Sequence, residues 1–158
     1  MELKTKVNAE TGQQDLIITR EFDLPVELLF KAHAEPEIIA RWMSNPHTTA
    51  KVLKFEGRKQ GSYQMESTDA RGNVVFRSNG VFHDFILNKK ITRTFEMEGA
   101  TFGVQLEVYD FEQITGNTSK LNMHVIFESV AQRDGLLKLP FAQGLNMAHN
   151  RIEELLKP

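Results

Sequence analysis

The stretch that most limits how this chain can fold is its last, P-F-A-Q-G-L-N-M-A-H-N-R-I-E-E-L-L, from Pro140 to Leu156. Phe141, Leu145, Ala148, Ile152 and Leu155 recur at alternating steps of four and three, so they share one face of a helix. Pro140 suits the first turn, where its missing N–H costs nothing. Gln143, Asn150, Arg151 and Glu154 lie opposite and can stay in water. Nearly everything upstream reads as β-strand. The helix therefore needs a sheet to bury its stripe, and the sheet needs a cover. The functional question is whether the two meet in a solid core or leave a cavity.

Met1 to Gln14 is polar, contains Gly12 and shows no periodicity, which predicts a flexible start or a short edge strand over 1–14. Asp15 to Phe22 is the first clear strand, with Leu16, Ile18 and Phe22 on one face. Asp23-Leu24-Pro25 ends it and opens a helix. Val26 to Ala34 and Glu37 to Met43 then read as two short helices, the second started by Pro36, with Glu35 and Glu37 where the helix dipole favours negative charge. From Thr49 to Val130 the period is two. Lys51 to Glu56 and Gly61 to Ser67 pair as a hairpin, and Asp69 to Asn73 is a turn. Val74 to Leu87 is a long strand with a bulge or bend expected at Asn79-Gly80. Ile91 to Met97, Phe102 to Gln113 and Leu121 to Val130 follow. Within the second of these, Val104, Leu106 and Val108 face one side and Gln105, Glu107 and Tyr109 the other. Short connections make the sheet antiparallel.

The fold class is thus α+β, a single domain over 15–158 in which a curved antiparallel sheet wraps a long C-terminal helix. With 19 basic and 21 acidic side chains the net charge is −2. That leaves no electrostatic footprint for nucleic acid. Cysteine is absent, which removes disulfides and thiolate chemistry. No signal peptide is legible at the N-terminus, and no run approaches the roughly 18 apolar residues of a membrane span. A cytoplasmic location is expected. The five histidines, His33, His47, His83, His124 and His149, lack metal-ligand spacing. No nucleophile elbow, phosphate loop or dinucleotide fingerprint is present. No catalytic residue, metal or cofactor is therefore assigned. Asp84, Glu107 and Asp110 are the strand carboxylates that would gain acid–base power if they faced an apolar interior.

R-E-F-D-L-P-V-E-L-L-F-K-A-H-A-E-P-E-I-I-A-R-W-M (Arg20 to Met43) resembles the opening of the homologues of the heat-shock-protein-90 ATPase activator. G-L-N-M-A-H-N-R-I-E-E-L-L (Gly144 to Leu156) resembles their last helix. Leu145 stands where the family usually has Trp, and Lys59-Gln60-Gly61 replaces its usual paired glycines. The resemblance implies a START-like, Bet v 1-like helix-grip fold of the SRPBCC superfamily, often with an apolar cavity. It implies a hydrophobic small molecule, lipid-like or aromatic, held without catalysis between the C-terminal helix and the sheet. The expected lining is Phe30, Trp42, Phe55, Tyr63, Met65, Phe76, Phe82, Phe95, Leu106, Met123, Phe141, Leu145 and Met147. Arg77, Asn79, Arg93 and Asn146 are the polar groups that could point inward. A solid aromatic core is the plain alternative. Two other functions are implied, a chaperone-partnered stress-response module and an enzyme of the cyclase or hydrolase type. The chain is expected as a monomer or homodimer.

Overall fold

A computed structural model describes residues 3–158; Met1 and Glu2, part of the predicted N-terminal segment, lie outside the described residues. The strands are β1 (Lys6–Asn8), β2 (Asp15–Phe22), β3 (Thr49–Phe55), β4 (Ser62–Thr68), β5 (Val74–Ile86), β6 (Lys90–Met97), β7 (Val104–Gln113) and β8 (Ser119–Ile126). The helices are α1 (Val26–Ala34), α2 (Pro36–Met43), α3 (Val130–Leu137) and α4 (Phe141–Leu156). All eight strands join one antiparallel sheet in the order β1-β2-β8-β7-β6-β5-β4-β3. Strands β3 to β8 form a meander of short connections, and β2 reaches β8 because α1 and α2 carry the chain across to the far edge.

Local chemistry explains the helix boundaries. Pro25 precedes α1, and its carbonyl accepts from the Leu28 and Leu29 amides at 3.1 Å. Pro36 is the first residue of α2. The two helices are locked by Trp42, whose indole N–H donates to the Ala32 carbonyl at 2.7 Å. Helix α3 differs from the expectation: the strand read as far as Val130 ends at Ile126, and Val130–Leu137 is helical. Its apolar face is weak, since Gln132, Arg133 and Asp134 fill its middle. The start is nonetheless a proper cap, with the Ser129 hydroxyl accepting from the Gln132 amide at 3.1 Å, as a Ser-x-x-Gln box provides.

Helix α4 has two unlike halves. Its C-terminal half is bound in place: Ile152 and His149 are buried, and the Arg151 Nε donates to the Trp42 carbonyl at 2.8 Å. Arg20 of β2 donates to Asn150 at 2.9 Å and, reaching into the N-terminal half, to Asn146 at 3.2 Å. Thr5 bonds His149 at 2.7 Å. The N-terminal half carries Ala142, Gln143, Gly144 and Met147, all exposed. A side chain added at Gly144 would meet nothing within 4 Å.

Two backbone details shape the sheet. The bend expected at Asn79-Gly80 is a register shift at His83, between Phe82 and Asp84. Gly80 instead lies in regular pairing with Tyr63, where a Cβ would collide with the Tyr63 ring and the Thr94 carbonyl. Gln60 takes a left-handed φ of 66°, a conformation that glycine adopts freely. Its amide is held by the Phe82 carbonyl at 2.9 Å. Among the described residues no helix is long and apolar enough to cross a membrane.

Candidate functional site

The concave face of the sheet is mostly apolar, with Arg20 of β2 and Ser67, Ser78 and Ser119 buried among its side chains and a charged pair at its centre. Register places Leu16, Val125, Glu107, Arg93 and Phe82 in one inward row across β2, β8, β7, β6 and β5. Two charged side chains thus replace the hydrophobic pair expected midway. On β7 the alternation puts Gln105, Glu107, Tyr109 and Phe111 inside and Val104 and Leu106 outside.

These groups form one closed network. Glu107 Oε1 accepts from Arg93 Nε at 2.8 Å and from the Tyr109 hydroxyl at 3.0 Å. Its Oε2 accepts from Gln105 Nε2 at 2.8 Å. Arg93 Nη2 donates to the Tyr109 oxygen at 2.8 Å. The guanidinium carbon stands 4.7 Å from the Tyr63 ring centre and 5.1 Å from that of Tyr109, within cation–π range. Tyr63 is itself fixed by donating to the Thr94 carbonyl at 2.6 Å. The Arg93 and Glu107 side chains are 18% and 7% exposed. Removing one such partner leaves an uncompensated buried charge, so the members depend on one another.

Burial decides the protonation states. It pushes the Tyr109 hydroxyl well above its ordinary range, Glu107 adding to the rise and Arg93 opposing it. Burial also raises Tyr63. Desolvation works against the Arg93 charge, but Tyr109, Tyr63 and Glu107 outweigh it and the guanidinium is held more firmly protonated than usual. His33 of α1 faces the same space, its ring centre 5.7 Å from that of Tyr109. Burial lowers its pKa to about 4, with Arg93 contributing and the Leu29 carbonyl opposing. That carbonyl lies 2.9 Å from Nδ1 and can only accept, so Nδ1 carries the proton and Nε2 is left as an acceptor.

The expected lining residues divide into three groups. Phe30, Phe55, Tyr63 and Phe82, joined by Phe85, form one aromatic cluster with centroids 5.1 to 6.4 Å apart, edge-to-face except for the tilted Tyr63–Phe82 pair. Trp42, Met65 and Met123 are buried. Phe76, Phe95, Phe141 and Leu145 are only half-buried, and they belong to the inward faces of β5, β6 and α4. Two expectations are corrected. Leu106 is 37% exposed on the convex face because its strand is turned the other way, and Met147 is 52% exposed on the solvent side of α4. Of the polar candidates, Arg93 points inward, while Asn146 turns to β1 and β2, accepting from the Thr5 amide at 2.9 Å and from Arg20 Nη1 at 3.2 Å. Arg77 pairs outside with Glu66, and Asn79 with Glu96 and Glu98.

Glu107 is the one of the three candidate strand carboxylates that turns inward and is buried; Gln105, Tyr109 and His33 were not among the expected site residues. The signal lay in parity: Tyr109 and Phe111 share a face with Glu107, whereas the Val104-Leu106-Val108 face continues into Asp110 and Glu112. Ser78 is a further discovery. It is 1% exposed on the concave face of β5, and its hydroxyl makes no hydrogen bond among the described residues. Two surface concavities, of about 430 and about 180 Å³, border Arg20 at β2; the larger adjoins Glu153 and Lys157, the smaller Lys6 and Lys120. Neither lies between α4 and the centre of the sheet. Among the described residues no group of three or more His, Asp or Glu could hold a metal ion.

The family described as Activator of Hsp90 ATPase homolog 1-like protein matches residues 23–157. The fold is shared with a protein from Mycobacterium smegmatis at 20% identity, TM-score 0.85, covering 99% of this chain and 98% of that one. A protein from Rhodobacter sphaeroides is similar at 18% identity and TM-score 0.86, with 98% of each chain covered. One from Arthrobacter aurescens is similar at 19% identity and TM-score 0.83, covering 96% of this chain and 90% of that one. No curated protein matches the sequence.

Proposed function

We propose that this chain, which belongs to the Activator of Hsp90 ATPase homolog 1-like family and has its helix-grip fold, binds a hydrophobic small molecule between the first turns of α4 and the concave face of β5 to β7. The observation that carries this reading is the Arg93–Glu107–Gln105–Tyr109 network. A sheet built only to pack would fill those positions with apolar side chains, because a buried ion pair is often no more stabilising than a hydrophobic pair of the same volume. Phe95, whose ring centre is 5.9 Å from the Arg93 guanidinium carbon, supplies apolar wall beside it, and on this reading half-buried Phe141 and Leu145 supply the wall from α4. Ser78 offers a second polar point, since an unpartnered buried hydroxyl costs about 1–3 kcal/mol that a ligand can relieve.

Binding rather than catalysis fits the same geometry. Both Glu107 oxygens already accept hydrogen bonds, which makes the carboxylate an anchor for Arg93 and not an available base. The chaperone-activator alternative rests on the family's description alone.

The test is fluorescence titration with N-phenyl-1-naphthylamine, an uncharged apolar dye that brightens when it leaves water. Enhanced, saturable emission is expected, together with at least tenfold weaker binding by Leu145→Trp, whose indole would occupy the wall. No enhancement, or affinity unchanged by Leu145→Trp, overturns the reading.

A further inference from the structure

The charges of this site cancel one another, and that determines what it can hold. The inference rests on the binding reading above and deepens it. Arg93 contributes one positive charge and Glu107 one negative, in contact at 2.8 Å. Tyr63 and Tyr109 remain neutral phenols, and His33 is a neutral imidazole at physiological pH. An arginine with no partner would call for a carboxylate or phosphate; here the protein itself has supplied the carboxylate. A second anion on Arg93 would sit within a few ångströms of Glu107 in a poorly solvated space, where like charges repel far more than in water.

The hydrogen-bonding capacity left over is mixed. Among the described residues Arg93 bonds through Nε and Nη2 only, leaving Nη1 as a donor. Gln105 bonds through Nε2 only, leaving its carbonyl oxygen as an acceptor. His33 Nε2 is another acceptor on the facing helix. We propose that the site takes an uncharged amphipathic molecule whose polar end both donates and accepts hydrogen bonds, such as an amide- or hydroxyl-bearing aromatic. Glu107 is the specificity-determining residue that turns carboxylates away.

The experiment displaces bound N-phenyl-1-naphthylamine with two probes of nearly the same shape, 2-naphthamide and 2-naphthoate, at pH 7.5. The wild-type protein is expected to bind the amide at least tenfold more tightly than the anion. Glu107→Gln, which keeps the shape and leaves the site with the Arg93 charge, is expected to reverse that order. Equal affinities, a preference for naphthoate, or displacement by neither probe in the wild-type protein overturns the inference. If the dye itself fails to bind, it is the binding reading that has failed, and this inference with it. Should Glu107→Gln not fold, the wild-type ratio alone decides.

Discussion

Strands β7 and β8 lie side by side in register from Leu106–Ile126 to Gln113–Ser119, and they fill their inward positions in opposite ways. β8 turns Leu121, Met123 and Val125 into the core and leaves Asn122 and His124 outside. β7 turns Gln105 and Glu107 inward and leaves Val104 and Leu106 in partial contact with water. Both strands alternate cleanly. Only one follows the rule that the apolar face goes inside. The departure sits beside α1, whose His33 ring centre is 5.7 Å from that of Tyr109, and breaks of local pattern tend to concentrate at functional or strained positions. On the proposed reading β8 belongs to the fold, and β7 carries the site.

Substitutions can sharpen or break this contrast. The largest effect is expected from Glu107→Ala, which strands the Arg93 charge: about 3–5 kcal/mol lost in urea unfolding, with dye binding abolished. A loss under about 1 kcal/mol would mean that water reaches the pair freely. Leu121→Ala, on β8, should remove about 3 kcal/mol by opening a core cavity while the folded fraction keeps the amide-over-carboxylate preference. A changed preference would show that β8 also shapes the site.

A smaller effect comes from pH. Burial lowers His33 to about 4 and His149 to about 3, the latter with His33 and Arg20 contributing. In the unfolded chain both titrate near 6.5. Between about pH 4 and 6.5 the unfolded state thus binds more protons, and stability falls as pH drops through that window. The slope approaches about 1.4 kcal/mol per pH unit for each histidine. Urea midpoints at pH 7.5 and 5.5 measure it, and His149→Leu should remove one share. A midpoint that stays level would show that the imidazoles reach solvent. The smallest effect is expected from Leu106→Thr. On the convex face it should shift stability by less than about 0.5 kcal/mol and leave binding unchanged; an inward wall residue would do neither.

Much of the fold was legible in sequence for a definite physical reason. Period two, turn residues and a seventeen-residue helical stripe are local signals, and the meander needs no long-range information beyond them. Helix α3 was missed because its apolar periodicity is weak, although Ser129 and Gln132 spelled out its cap. The site was harder to read. Which face of β7 turns inward depends on its pairing with Arg93 of β6 and Val125 of β8, and three apolar residues at 104, 106 and 108 argued for the wrong answer. Arg93 was within reach as a candidate because it shares a face with Ile91, Phe95 and Met97. Glu107 was one of three candidate carboxylates, and only the register with Arg93 separates it from Asp84 and Asp110. The two halves of α4 differ in what they touch: Thr5, Arg20 and Trp42 hold Asn146, His149, Asn150 and Arg151, whereas Ala142, Gln143 and Gly144 are exposed.

The central claim is that a small uncharged molecule binds over Arg93 and Glu107. Amide NMR spectra of the uniformly labelled protein, recorded during titration with 2-naphthamide, test it most directly. The account predicts saturable shifts centred on Arg93, Phe95, Gln105 and Leu145, including the Arg93 Nε–H resonance. Shifts confined to the Arg20 and Glu153 cleft beside β2, or none at all, would contradict it.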